Sequence, residues 1–205
     1  MSNINKLIII LLVLGIALTT AATIFVLKQD ENNEYERAQL RAETADINYI
    51  LPYNNKYMGN HSNLAALFGH LPLSDTRTTF QLYPNDLAAK VYYEDSMLQA
   101  GKTNLQYSSY SLEGLEHAID DFYATEVKRS LIYNSTAAFA LIENLDALIY
   151  EFTDTSFIVT RLDIEGIYMD FANILDDEVW TRRVQAPLED QGYVKDIADR
   201  VLKDQ

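Results

Sequence analysis

Zinc centres and nucleophilic triads are built on histidine and cysteine. This chain has three histidines, His61, His70 and His117, and no cysteine. Only His117 has acidic neighbours at close helical spacing, Glu113 and Glu116, and no H-E-x-x-H run occurs. All three read as loop or surface residues, with His61 at a helix start the one best placed to touch a ligand. Serine hydrolysis needs an oriented histidine and usually a G-x-S-x-G elbow; neither that elbow nor S-x-x-K is present. Seven glycines provide no phosphate-cradling loop, and no D-x-[DN]-x-[DN]-G calcium loop is found. Acidic pairs are plentiful: Asp120-Asp121, Asp176-Asp177-Glu178 and Glu189-Asp190. Glycoside hydrolysis uses two carboxylates that the fold brings together, which spacing alone does not reveal. With 30 acidic residues, solvated surface is the simpler role. The sequence thus assigns no catalytic residue, no cofactor-binding residue, no cofactor and no metal ligand.

Fourteen tyrosines form the other chemical resource. Tyr49, Tyr53 and Tyr57 recur every four residues, and Tyr107 and Tyr110 sit in a polar stretch. Exposed rings stack on sugars or peptides, but Pro52 among the first three favours rings that wedge a stalk onto a domain. Asn60-His61-Ser62 and Asn134-Ser135-Thr136 fit the glycosylation sequon and read equally as helix caps.

The net charge is −14, and every acidic residue lies at Asp30 or later. Such a field repels nucleic acid and anionic headgroups, so no nucleic-acid partner is expected. The lack of cysteine favours a bacterial cell surface over a disulfide-bonded eukaryotic ectodomain.

These side chains must be positioned by elements that follow one hydrophobic run, Leu7 to Leu27, which has no charge and no proline and is flanked by Lys6 and Lys28. As a helix it would be ~31 Å long, the thickness of a bilayer core. Thr20-Ala21-Ala22 resembles a signal cleavage site, yet the apolar run continues past it. We read residues 1–6 as a cytoplasmic tail, 7–27 as an uncleaved transmembrane anchor, 28–47 as a polar stalk and 48–205 as an extracytoplasmic domain. The membrane is then a partner through residues 7–27, in a single-pass, N-inside topology.

Within the domain, Leu64, Leu67, Phe68 and Leu71 mark an amphipathic helix capped by Asn60 or Ser62. Residues 78–83 and 87–94 read as a β-hairpin around Pro84-Asn85-Asp86. Residues 95–111 read as a long loop, and Ser111 as the cap of a helix burying Leu112, Leu115, Ile119 and Phe122. Val127 to Tyr133 reads as a third strand, followed by Asn134-Ser135-Thr136 as caps of a buried helix, Ala137 to Ile142, with Asn144 as its left-handed C-cap. Residues 145–152 and 156–161 read as a second hairpin. Asp163 then caps a helix carrying Ile164, Ile167, Tyr168, Phe171 and Ile174, and a terminal helix follows Pro187. The expected fold is α+β: an N-terminal transmembrane helix, then a mainly antiparallel sheet of about five strands packed with several helices.

Several of these segments carry a family pattern. Tyr57-Met58-Gly59-Asn60-His61-Ser62, then Leu64, Leu67 and Leu71-Pro72, then Tyr92-Tyr93, Ser130 to Tyr133, Ala137 to Asn144 and Thr160 to Glu165 together resemble the family called domain of unknown function 4825. The resemblance covers roughly residues 48 to 170. It implies an extracytoplasmic domain on a membrane anchor in Gram-positive bacteria, and it brings no catalytic residues with it. The resulting expectation is a non-enzymatic, membrane-anchored binding or sensory domain with an envelope protein as partner. The alternatives are a cell-envelope hydrolase using acidic residues and a structural accessory subunit of a membrane complex.

Overall fold

A helix that is buried on nearly every side shows no amphipathic stripe. The segment Ile119–Leu141 is such a helix, and it runs through the middle of the domain with 16 of its 23 residues buried. It appears in a computed structural model that describes residues 19–20, 23–29, 33–55, 57–105 and 119–205. The chain divides into two compact units, Met1–Arg37 and Ala38–Gln205. The described residues of the first unit are helical and exposed, Ile24, Phe25, Val26 and Leu27 among them. Among the described residues no helix is long and apolar enough to cross a membrane. Residues 7–18, 21 and 22 of the expected anchor lie outside them.

The second unit begins within the stretch expected as stalk. Ala42, Ala45 and Ile47 are buried in its core. Gln185 Nε2 donates to the carbonyls of Ala45 (2.7 Å) and Ala42 (3.3 Å). Asp46 caps helix α1 (Ile47–Ile50) by accepting from Asn48 N. Asn60 does the same for α2 (His61–Gly69), which buries Leu64, Leu67 and Phe68 as its spacing requires.

The first hairpin pairs β1 (Arg77–Tyr83) with β2 (Ala88–Tyr93). Its turn ends on Leu87 at φ 49°, which with the buried Leu73 at φ 65° is one of two leucines in left-handed backbone among the described residues. A branched side chain pays for that region at roughly 1–2 kcal/mol, so the surroundings must hold it there. The Leu87 carbonyl accepts from both Asp146 N and Ala147 N, and the Pro72 carbonyl accepts from buried Asn134 Nδ2.

Part of the expected long loop is helix α3 (Met97–Leu105). Asp154 Oδ1 accepts from Met97 N and Ser96 Oγ from Gln99 N, supplying its N-terminal caps. Gly101 allows a close approach to the long helix: a Cβ there would stand 2.5 Å from the Tyr123 carbonyl oxygen. Residues 106–118 lie outside the described residues, and with them Ser111, Leu112, Leu115, His117, Tyr107 and Tyr110.

The expected strand Val127 to Tyr133 is instead the middle of α4, the Ile119–Leu141 helix. Its Val, Leu, Ile and Tyr suit a strand, but they pack all round a central helix. Asn134, Ser135 and Thr136 therefore cap nothing; they are buried in mid-helix. Asn144 is not left-handed, and its side chain accepts from Met58 N at 2.7 Å. The open carbonyls at the end of α4 are met by Arg161, which donates to Phe139 O, Ile142 O and Leu145 O.

The second hairpin, β3 (Ala147–Glu151) with β4 (Ser156–Thr160), forms as expected. Thr160, not Asp163, caps α5 (Arg161–Glu165); Asp163 sits three residues on and accepts from the Thr160 hydroxyl. The helix stops at Gly166, so Ile167 to Ile174 continue as turns and a 3-10 segment. Helix α6 (Asp177–Trp180) runs through a π-turn (Thr181–Gln185) into α7 (Ala186–Leu188), and Asp190 caps α8 (Gln191–Val201).

The sheet has five strands in the order β1-β2-β3-β4-β5, the last being Lys203–Asp204. It is mixed: β2 and β3 are parallel, because α3 and α4 cross over between them, and the other pairings are antiparallel. The expected number of strands holds, while 203–204 takes the place given to 127–133. Ala89, Val91, Leu148, Tyr150, Phe157 and Val159 form its buried face with α4. Trp180 lies fully buried, edge-on to Tyr133 at 5.2 Å.

Candidate functional site

Three places concentrate polar or open surface. The first is a buried ion cluster. Arg129, on α4, sits one turn after Glu126, so an i,i+3 pair forms within the helix. The same Nη1 donates to Glu43 Oε1 at 2.6 Å, and Nε donates to Leu188 O at 2.6 Å. Arg41 pairs with Glu43 at 3.2 Å. The Arg129, Glu126 and Glu43 side chains are 3%, 2% and 7% exposed. Burial raises the Glu126 carboxyl above the ordinary range even though Arg129 opposes it. Two carboxylates meeting is the motif a hydrolase needs, but here both accept from Arg129, and Glu43 pairs with Arg41 as well. Neither lines any of the recesses described below. The cluster ties residues 41–43 to the central helix and to α7.

The second place is a cavity of about 10 Å³ under the Pro72-Leu73 turn, lined by Arg77, Tyr93, Asn134 and Tyr150 among others. Asn134 Oδ1 and Arg77 Nε are buried there without a partner. Tyr150 shares a hydrogen bond with Ser135 (2.9 Å), and burial pushes the Tyr93 and Tyr150 hydroxyls far up. The space suits one water, which can accept from a guanidinium N–H and donate to an amide oxygen.

The third place is open. A recess of about 350 Å³ is walled by Ile167, Met169, Pro187, Tyr193, Arg182 and Arg183. A second, of about 370 Å³, is lined by Leu162, Asp163, Gly166, Arg200 and Val201. Met169 is fully exposed and Leu162 is 78% exposed. Arg182 and Arg183 stand on the π-turn, a geometry that recurs at functional positions.

The residues picked out from the sequence disperse. His61 stacks on Phe80 at 4.6 Å. His70 lies between Tyr49 and Tyr53, with Nε2 3.2 Å from the Tyr53 hydroxyl and Nδ1 2.6 Å from the Ala66 carbonyl. Tyr49 and Tyr53 therefore wedge against α2, whereas Tyr57 is exposed. Asp121 pairs with Lys195 at 2.5 Å, and Asp176 and Asp190 cap helices. Among the described residues no group of three or more histidines or acids could hold a metal ion. Sequence reasoning missed Glu43, Glu126, Arg129, Asn134 and Arg77. Glu126, Ser130 and Asn134 recur every four residues, a helical polar stripe that could have marked this segment as helix.

A family model described as "Domain of unknown function (DUF4825)" matches residues 50–161. That span holds the whole of α4 and the small polar cavity, and ends before both open recesses. No curated protein and no solved structure matches the chain.

Proposed function

Because the chain belongs to the DUF4825 family, a domain of unknown function, we propose that it is a binding or sensory domain rather than an enzyme, held at a membrane by residues 7–27 and facing outward. The observation that carries this reading is the way the chain enters the domain. Residues 41–47 do not trail from it: Glu43 is locked on Arg129, and the Ala42 and Ala45 carbonyls are held by Gln185. The point where the chain enters the domain is thus built into its core, beside the central helix and the π-turn, which suits a domain that reports what it binds. The uncharged 21-residue run at 7–27 supplies the anchor's length. An envelope protein is the expected partner.

The test is made in intact cells with the full chain. Alkaline phosphatase fused after Gln205 should be active, and protease added to spheroplasts should digest the domain. Cross-linking before solubilisation should join the chain to one discrete envelope protein. An inactive fusion together with full protease protection would overturn the topology. Turnover of an envelope polymer by the purified chain would replace the binding reading with the hydrolase one.

A further inference from the structure

We propose that the recess between the Ile167–Met169 turn and the Arg182–Arg183 π-turn docks an acidic segment of a partner protein, with an apolar residue of that segment seated against Met169, Ile167 and Tyr193. The proposal rests on the reading of the domain as a protein-binding module and names the chemistry of its partner. Met169, exposed in full, shares the recess wall with Ile167, Pro187 and Tyr193, and methionine adapts to varied apolar guests.

No acidic side chain lines this recess. Asp170 is engaged with Asn173, Glu165 with Arg161, and Asp190 with the Tyr193 amide; Asp177, Glu178 and Glu189 are close in sequence but are not among the lining residues. Arg182 and Arg183 make no ion pair or hydrogen bond among the described residues, whereas Arg41, Arg129, Arg161 and Arg200 each have a carboxylate within 4 Å. Two adjacent guanidiniums, with no carboxylate within 4 Å among the described residues, give this recess a positive wall in a chain of net charge −14. Carboxylates of a narrow segment reach it; arginine binds them in a planar fork. An anionic bilayer is a poorer occupant, because it would face the rest of the acidic domain as well.

The experiment uses the full chain in detergent micelles. A displayed library of random linear peptides is selected on the wild type and on Arg182→Glu/Arg183→Glu. Wild type should enrich peptides that combine Asp or Glu with Leu, Ile, Met or Phe. The reversed variant should bind them about tenfold more weakly, and high salt should weaken the wild-type complex. Arg182→Lys/Arg183→Lys, which keeps the charge, should retain part of the affinity, and Met169→Glu should lose it. Unchanged urea melts of all three variants separate lost binding from lost folding. The proposal is overturned if no such peptides are enriched, or if the reversed variant enriches them equally. It is also overturned if anionic vesicles bind while peptides do not, or if the arginines instead govern self-association of the chain. In each of those outcomes an active phosphatase fusion would leave the membrane-held domain standing.

Discussion

Arg129 and the pair Arg182–Arg183 belong to one acidic domain and are used in opposite ways. Arg129 is 3% exposed and gives its donors to Glu43, Glu126 and the Leu188 carbonyl. Arg182 and Arg183 border an open recess and hold no carboxylate among the described residues. A buried guanidinium must have its acceptors supplied by the fold, because desolvation would otherwise be prohibitive. An exposed one needs none, so its lack of partners is a resource for something outside the chain. Arg129 and Glu126 lie within the family-matched span, Glu43 before it and Leu188 after it, and the arginine pair lies beyond it. The matched span thus holds the central helix, while the recess is carried by residues after it.

The largest effect should come from emptying the buried side. Arg129→Met leaves the buried Glu126 carboxylate without its cation and Glu43 with Arg41 alone, and should cost about 3–5 kcal/mol. Urea unfolding followed by fluorescence of Trp180, the single tryptophan, measures it. A loss under about 1 kcal/mol would mean the cluster is not what ties residues 41–43 down. Phe139→Ala removes a 1%-exposed ring from the same helix and should cost a similar ~3–5 kcal/mol. A shallow loss with an unchanged slope would move that ring out of the core.

Next comes Arg161→Ala. It frees the three carbonyls that close the end of α4 and should cost about 1.5–3 kcal/mol. Rescue by lysine should be partial, since one ammonium cannot copy the fork.

Glu126→Gln should act through pH. The native carboxyl has a raised pKa, so the folded chain holds that proton more firmly than the unfolded one does. Native stability should therefore rise as pH falls from the raised native value toward the ordinary glutamate value, about 4.3. Above the native value that contribution is gone. The glutamine variant should lack this part of the pH dependence, as read from urea midpoints across the window. An identical profile in both proteins would assign the titration to another group.

The smallest effect should be on the open side. Arg182→Ala/Arg183→Ala should leave the urea midpoint within about 0.5 kcal/mol of wild type. A large loss would show that these arginines serve the fold after all and erase the contrast with Arg129.

How much of this could be read from sequence follows from where each signal resides. Both hairpins, α2 and α8 were legible, because their alternation or helical stripe faces one core side and water on the other. The strand expected at 127–133 failed for a definite reason: with Leu131, Ile132, Tyr133, Ser135 and Thr136 all buried, α4 has no solvent face to impose a period. Its β-branched and aromatic residues then spoke louder than its length. The two-residue β5 has no pattern to read. The Glu43–Arg129 pair joins positions far apart in the chain, so spacing carried no trace of it. The open recess likewise depends on tertiary folding of Met169 toward Arg182 and Arg183, three residues that look like ordinary surface in the sequence.

The parallel seam between β2 and β3 imposes an order of assembly. Each hairpin closes through a short turn, so its hydrogen bonds are gained soon after its loop-closure entropy is lost. Pairing Ala88 with Ala147 closes a loop containing α3 and all of α4. That closure must be completed before the seam returns anything, which makes it the slow, non-local event of folding. Until then two sheet fragments exist, each with one edge open where the other belongs. The same seam carries the left-handed Leu87, whose carbonyl takes both the Asp146 and Ala147 amides at the junction. A chain interrupted at this stage would present its own β2 edge to any neighbour with a matching β3, so the crossover that builds the domain is also the point at which two copies would exchange hairpins.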